Sequence, residues 1–85
     1  MKQFTYTVTD KLGIHARPAG DLVKVAKEYN STIKISCNGK TVDAKRLIAL
    51  MSLGAKQNHV VTVEVEGDDE NAAAEKLEAF FKENL

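Results

Sequence analysis

Residues 33–42 form the stretch IKISCNGKTV, which carries the clearest signal of backbone structure in the chain. Its first half alternates apolar and polar residues, as a strand with one apolar face does. Asn38-Gly39 follows and is the strongest short signal for a two-residue type I′ turn, in which both central residues have positive φ. A turn at this place sets Ile35 opposite Val42, with both side chains on one face. The stretch therefore predicts a β-hairpin with one apolar side.

Two further segments alternate in the same way, at Lys2–Thr9 and Val60–Glu66. The first is rich in threonine and aromatic residues and the second in valine, and all of these favour strands. With the hairpin they make four strands, each with one apolar and one polar face. That pattern is typical of an antiparallel sheet that is solvated on one side.

Three helices are predicted between and after the strands. Pro18 is tolerated only in the first turn of a helix, so it places the start of the first helix at about Ala16. The second covers Leu47–Leu53 and ends before a glycine. The third begins at Asp68 or Asp69, where an acidic side chain would cap its first turn. Its buried stripe comprises Ala73, Leu77, Phe80 and Phe81.

The resulting element order is β-α-β-β-α-β-α. The amphipathic helices must cover the apolar face of the sheet, because nothing else in the chain can. We expect a single domain over residues 1–85. Its class is α+β, a two-layer open-faced sandwich in which three helices cover one face of a four-stranded antiparallel sheet.

The composition narrows the functional classes. The 85 residues contain 12 basic and 12 acidic side chains, which argues against bulk binding to nucleic acid or to an acidic membrane surface. We see no membrane-spanning stretch and no signal-peptide pattern, so we expect a cytoplasmic protein without direct membrane insertion. Cys37 is the only cysteine, which excludes an internal disulfide, and we expect it to be buried as a small apolar residue.

The candidate chemistry lies at the start of the first helix, where residues 13–19 read GIHARPA. The imidazole of His15 is a nucleophile when neutral, and here it sits at or beside the helix N-cap. A phosphoryl group on it would meet the free N–H groups of Ala16 and Arg17 and the positive end of the helix dipole. The Arg17 guanidinium can neutralise phosphoryl oxygens. Taken singly, a histidine at a helix N-cap is more often a plain surface residue, and an arginine such as Arg17 is more often a solvated charge.

The stretch GIHARPAG, Gly13 to Gly20, resembles the active-site signature of the HPr family, the histidine-containing phosphocarriers of the bacterial phosphoenolpyruvate-dependent sugar phosphotransferase system. Asn38-Gly39-Lys40 and Met51-Ser52-Leu53-Gly54 resemble the second and third recurring stretches of that family, at matching separations from His15. The resemblance covers the whole chain, and the length and element order agree with it.

The resemblance implies a phosphocarrier for sugar transport that has no independent turnover and is not an enzyme. Enzyme I, charged by phosphoenolpyruvate, would phosphorylate Nδ1 of His15, giving pros-phosphohistidine. The IIA domains of sugar permeases would then accept the group. By the match, Arg17 is the charge partner of the phosphoryl group, and the free N–H of Ala16 already described would bind the same group. We expect a monomer with no cofactor and no metal.

The second helix is apolar around most of its circumference, although a two-layer fold can bury only one side of it. We expect Leu50 and Leu53 to face the sheet. Leu47, Ile48 and Met51 then remain exposed, and an exposed apolar patch is typical of a partner surface. The alternative is that this helix is buried. By the resemblance, the helix belongs to the docking surface for both partners.

One position departs from the family. Where Arg46 stands, many relatives in Gram-positive bacteria have a serine that a dedicated kinase phosphorylates, turning the carrier into a regulatory signal. Arg46 has no hydroxyl, so the regulatory serine is absent. Four basic residues are predicted either to add positive charge around His15 or simply to be solvated: Lys24, Lys27, Lys45 and Arg46. His59 is interpreted as a solvated loop residue.

Three hypotheses from different classes remain. The first is the phosphocarrier. The second is a regulatory relative that keeps the fold and binds partners without delivering phosphate to permeases. The third is a small nucleic-acid module, which the balanced charge and the lack of an exposed aromatic pair on the sheet disfavour. His15 and Arg17 favour the first hypothesis over the second, because pure binding would need neither.

Overall fold

The computed structural model describes all of residues 1–85. The chain forms, in order, β1 (Lys2–Thr7), α1 (Ala16–Lys27), β2 (Thr32–Cys37), β3 (Lys40–Asp43), α2 (Leu47–Ser52), β4 (Val60–Glu66) and α3 (Glu70–Asn84). This is the β-α-β-β-α-β-α order that the sequence predicts. None of the three helices combines the length and the apolar character that a membrane span requires.

The four strands form one sheet in the order β1-β4-β2-β3, and every neighbouring pair is antiparallel. The turn between β2 and β3 has positive φ at both central residues, 53° at Asn38 and 81° at Gly39, as a type I′ turn requires. Ile35 pairs with Val42 in the predicted register. The hairpin and the open-faced sandwich built around it are therefore confirmed.

The core lies between the inner face of the sheet and the helices. Central strand residues such as Ile35 and Val63 are fully buried, together with Leu22 of α1 and Leu77 of α3. The ring of Phe81, on α3, packs edge-on against Phe4 and tilted against Tyr6, at centroid distances of 6.0 and 5.6 Å. These contacts attach the last helix to the edge strand β1, as the predicted apolar stripe of α3 requires.

Cys37 ends β2 beside this core. Its side chain is buried, and burial raises the pKa of the thiol because the low-dielectric surroundings disfavour the thiolate. The interpretation of Cys37 as a small apolar core residue is confirmed.

Two element boundaries differ from the prediction. β1 ends at Thr7 instead of Thr9, because Val8 exchanges hydrogen bonds with the loop before β4 and the N–H of Thr9 donates to the Leu85 carbonyl. Alternating polarity continues past the point where β1 leaves the ladder, so the pattern alone could not show where that strand ends. α2 ends at Ser52 instead of Leu53, which is the C-cap residue and is followed by Gly54 with a φ of 71°.

Asp69 stands at the N-cap of α3, as the prediction of Asp68 or Asp69 allows, but the predicted capping bond of its side chain is absent. The Asp69 side chain makes no bond to its own helix. Its carboxylate accepts the N–H of Asn30 at 2.8 Å and the N–H of Ser31 at 2.9 Å, together with the Ser31 hydroxyl. Ser31 is fully buried, and a buried hydroxyl needs a partner. The carboxylate therefore joins α3 to the loop after α1.

Candidate functional site

His15 occupies the N-cap of α1 with an extended backbone, φ −99° and ψ −176°. The Ala19 N–H donates to the His15 carbonyl at 2.9 Å, which closes the first turn of the helix. The imidazole makes no capping bond and its side chain is 35% exposed. The ring therefore stands at the N-terminus of α1, where a partner molecule can reach it.

Two backbone donors lie next to this ring. The N–H groups of Ala16 and Arg17 donate to no acceptor within the protein, and Pro18 has no N–H. Such orphan donors, together with the positive end of the dipole of a 12-residue helix, form a site that favours an anion. The prediction that Ala16 and Arg17 supply the free donors agrees with this geometry.

A shallow pocket of about 270 Å³ adjoins His15. The residues that line it are Asp10, Leu12, His15, Arg17, Pro18, Asp21 and Asn84. Arg17 is exposed and forms no ion pair with the acidic residues around it, so its guanidinium remains available. His15 Nε2 lies 4.0 Å from Asp10 Oδ1, whereas His15 Nδ1 has no hydrogen-bond partner.

Gly13 lets the chain turn into the site. Its φ is 67°, and a Cβ at this position would collide with the backbone of Ala55 and Lys56. The next residue, Ile14, is buried and donates its N–H to the Ala55 carbonyl at 3.0 Å. The backbone that leads into His15 thus packs directly against the loop that precedes β4.

α2 packs beside α1 and presents the predicted apolar surface. Leu50 and Leu53 are buried, with 0% and 4% of their surface exposed. Leu47, Ile48 and Met51 are 40%, 78% and 45% exposed. We call these three residues the α2 patch. Their predicted exposure is confirmed, and so is the inward orientation of the other two side chains.

Arg46 stands at the N-cap of α2 in extended conformation, and its side chain makes no capping bond. The prediction that the neighbouring Lys45 adds positive charge near His15 is wrong. Its ammonium donates to the Tyr29 carbonyl at 2.8 Å, just beyond the C-terminal end of α1, whereas His15 is at the N-terminal end. A helix of this length separates the two by about 18 Å.

Sequence reasoning missed the role of His59. Its ring is half-buried, and Nδ1 accepts the N–H of Lys56 at 3.1 Å. It was interpreted as a solvated loop residue because a lone histidine among polar residues has no pattern that indicates a partner. The contact depends on a tight turn that only the folded chain displays.

Comparison with known proteins agrees with the geometry. Residues 2–83 match the PTS-HPr family model, described as "PTS HPr component phosphorylation site". The structure resembles HPr from Thermoanaerobacter tengcongensis, with 40% identity, a TM-score of 0.88 and 100% of both chains covered. It also resembles the histidine-containing phosphocarrier protein of a Mycoplasma, with 30% identity and a TM-score of 0.94 over 96% of this chain and 93% of that one.

A third similar structure is Crh, a catabolite-repression protein of Bacillus subtilis. The identity is 38% and the TM-score 0.79, with 100% of this chain and 98% of that chain covered. Crh is described there as a dimer with a swapped domain. The same fold therefore occurs both in phosphocarriers and in a protein named for regulation.

Proposed function

The chain belongs to the HPr family of phosphotransferase-system phosphocarriers, and on that premise we propose that its phosphoryl group is carried on His15. Enzyme I supplies the group and the IIA domains of sugar permeases receive it. The observation that carries this proposal is the pair of unbonded N–H groups at Ala16 and Arg17, placed at the first turn of α1 beside an exposed imidazole.

The arrangement suits an in-line transfer. The lone pair of His15 Nδ1 attacks phosphorus while the bond between phosphorus and the donor breaks, and its electron pair leaves with the donor. The Asp10 carboxylate, 4.0 Å from Nε2, favours the tautomer with its proton on Nε2, which leaves the lone pair on Nδ1. The same steps run in reverse when His15 passes the group to an acceptor.

Charge stabilisation comes from two sources in this chain. The free N–H groups at the start of α1 can donate hydrogen bonds to the phosphoryl oxygens. The unpaired Arg17 guanidinium can rotate toward the same oxygens and bind them. Oriented donors of this kind stabilise the charge that develops during transfer. The α2 patch supplies the apolar surface on which donor and acceptor dock in turn. We propose that the carrier works as a cytoplasmic monomer.

The similarity to Crh favours a second candidate, a regulatory role in which partners bind without phosphate delivery. A transfer experiment separates the two. The chain is mixed with labelled phosphoenolpyruvate, enzyme I and a panel of IIA domains, and label on each protein is followed with time. A carrier moves label from enzyme I to at least one IIA domain, and omitting the chain abolishes that transfer.

Two other results would count against the carrier. If the chain accepts label and releases it to none of the IIA domains, the regulatory candidate stands instead. If it accepts no label from a competent enzyme I, neither its donor nor its chemistry is the one proposed. A variant with Arg17 replaced by Gln should accept label more slowly, because the guanidinium charge is lost while the side chain remains polar and long.

A further inference from the structure

We infer that His59 is a positioning residue for the phosphoryl site. Its ring holds the loop of residues 54–59, which we call the support loop, and the support loop in turn holds the backbone that leads into His15. The inference rests on the proposed function of His15. Three successive contacts link the ring to this backbone: ring to loop, loop to Val8, and loop to Ile14.

The first contact lies within the support loop. Lys56 donates its N–H to His59 Nδ1 at 3.1 Å, and His59 donates its own N–H to the Lys56 carbonyl at 3.0 Å. The side-chain amide of Asn38 lies 3.4 Å from the same ring nitrogen. Because Nδ1 accepts a backbone N–H, it carries no proton, and the neutral ring must hold its proton on Nε2.

The second contact fixes the end of the loop to Val8, the residue that directly follows β1. The N–H of Val8 donates to the His59 carbonyl at 2.9 Å, and the N–H of Asn58 donates to the Val8 carbonyl at 2.7 Å. Asn58 adopts a φ of 73°, a left-handed conformation that asparagine tolerates better than most residues. Val8 is fully buried next to this exchange. The ring of His59 is therefore attached to a fixed point of the fold.

The third contact reaches the phosphoryl site. Ala55, which immediately precedes Lys56, accepts the N–H of Ile14, and Gly13 lies against the backbone of the same two loop residues. Ile14 directly precedes His15. A displacement of the Lys56 backbone therefore passes through Ala55 to the N-cap of α1. Transfer chemistry requires its groups within about 0.5 Å of productive geometry, so small shifts at this position matter.

Two substitutions distinguish the role of His59 Nδ1 as a hydrogen-bond acceptor from the role of the ring in filling space. In His59→Leu the side chain keeps its volume and loses the acceptor, which leaves the Lys56 N–H without a partner. In His59→Asn the side-chain carbonyl oxygen falls where Nδ1 lies, so the acceptor is kept while the ring is lost. A residue that serves only to fill space would tolerate Leu better than Asn.

The wild-type protein gives the first test. In ¹⁵N-resolved NMR spectra of the imidazole rings, recorded where both histidines are neutral, His59 should show the Nε2–H tautomer with an unprotonated Nδ1. A proton on Nδ1 would overturn the inference, because that nitrogen could not then accept from Lys56. This result depends neither on phosphorylation nor on the stability of any variant.

The variants give the second test. His59→Leu should speed the hydrogen exchange of the Lys56 and Ile14 amides roughly two- to tenfold, the effect of losing about one hydrogen bond. It should also shift the ring signals of His15. With enzyme I as donor, kcat for phosphorylation should fall by a similar factor while KM stays constant, because the α2 patch is unchanged. His59→Asn should restore all of these values toward the wild type.

Equal behaviour of the Leu and Asn variants, or an Ile14 amide and a His15 ring that do not respond to His59→Leu, would overturn the inference. Failure of the proposed function looks different. In that case the wild type accepts no label on His15, while the tautomer, the amide exchange and the His15 ring signals still report whether His59 positions the site.

Discussion

The carboxylate of Asp69 binds both the backbone N–H and the hydroxyl of Ser31, which lies 38 residues earlier in the chain. The same carboxylate also accepts the N–H of Asn30. One side chain thereby joins the start of α3 to the loop between α1 and β2. Gly67 must lack a side chain here, because a Cβ would collide with Ser31.

This contact predicts an acid-labile component of stability. The Ser31 hydroxyl, and next the Asn30 N–H, lower the pKa of Asp69 in the folded protein. Its contribution is therefore complete above the unfolded value of about 3.9 and is lost as the pH falls through the lower folded value. Thermal unfolding midpoints measured between pH 7 and pH 2 should fall more steeply below about pH 4 in the wild type than in Asp69→Asn.

Asp68→Asn is the matched control, because Asp68 is exposed and makes no such bonds. It should follow the wild-type curve. The N-terminal ammonium of Met1, and then the N–H of Gly67, lower the pKa of Glu70 as well, so this carboxylate also contributes to acid sensitivity. The comparison must therefore be made between variants. Parallel curves for the wild type and Asp69→Asn would show that the contact is not kept in solution.

Local sequence patterns predicted most of the fold because they reflect conformational preferences of residues that are close together in the chain. Asn38-Gly39 specifies a turn by its backbone freedom, and Pro18 marks a helix start by its missing N–H. The exposed and buried sides of α2 followed from its mostly apolar circumference, because a two-layer fold can bury only one side of a helix. In each of these cases the residue and the structure it dictates lie within a few positions of one another.

The contacts that sequence reasoning missed join residues far apart in the chain or across a turn. Asp69 was given a cap role because it stands at a helix start, but its partners come from the loop after α1. His59 was given no role because its acceptor function depends on the turn at Lys56. No period or motif encodes such pairings, and only the folded chain shows them.

The α2 patch predicts a docking variant. Met51→Glu places a charge on a side chain that is 45% exposed, so the fold should be retained. The charge should weaken docking, and we expect KM for phosphorylation by enzyme I to rise roughly tenfold, equivalent to about 1.4 kcal/mol. Initial rates measured across a range of carrier concentrations separate this effect from a change in kcat.

Leu50→Ala tests the buried side of the same helix. Leu50 is fully buried, and its truncation should lower the free energy of unfolding by about 2–5 kcal/mol. Where this variant remains folded, its KM should stay near the wild-type value. Unfolding of the Met51→Glu protein, or an unchanged KM in a folded one, would contradict the interpretation of the patch.

Arg46 predicts insensitivity to the serine kinase that regulates many relatives. A guanidinium offers no hydroxyl, so ATP and the kinase should leave the wild type unlabelled. In Arg46→Ser the new residue stands at the N-cap of α2, where a serine hydroxyl can accept an N–H and a cation no longer opposes the dipole. We expect stabilisation of about 0.5–1 kcal/mol by denaturant unfolding.

Arg46→Ala separates the two contributions, because it removes the charge without adding a cap. It should fall between the wild type and Arg46→Ser in stability and should accept no label from the kinase. Stoichiometric labelling of the wild type, at Ser52 or elsewhere, would show that regulation has another site.

Gly13 predicts a variant in which stability and function fail together. Gly13→Ala combines a positive φ with a Cβ that collides with the Ala55 carbonyl, so it should lower the free energy of unfolding by about 1–3 kcal/mol and slow phosphorylation. Gly20→Ala is the control. Gly20 lies inside α1 with open space around its Cβ position, and alanine there should stabilise by about 0.5–1 kcal/mol.

Locating the phosphoryl group shows whether His15 is the residue that carries it. The wild type and His15→Ala are incubated with enzyme I and phosphoenolpyruvate, and the product is examined by ³¹P and ¹⁵N NMR and by its stability in acid and base. We predict one acid-labile, base-stable phosphate on Nδ1 of His15 in the wild type and none in the folded His15→Ala protein. Phosphate that persists in His15→Ala, or that is found on a hydroxyl group, would contradict the account.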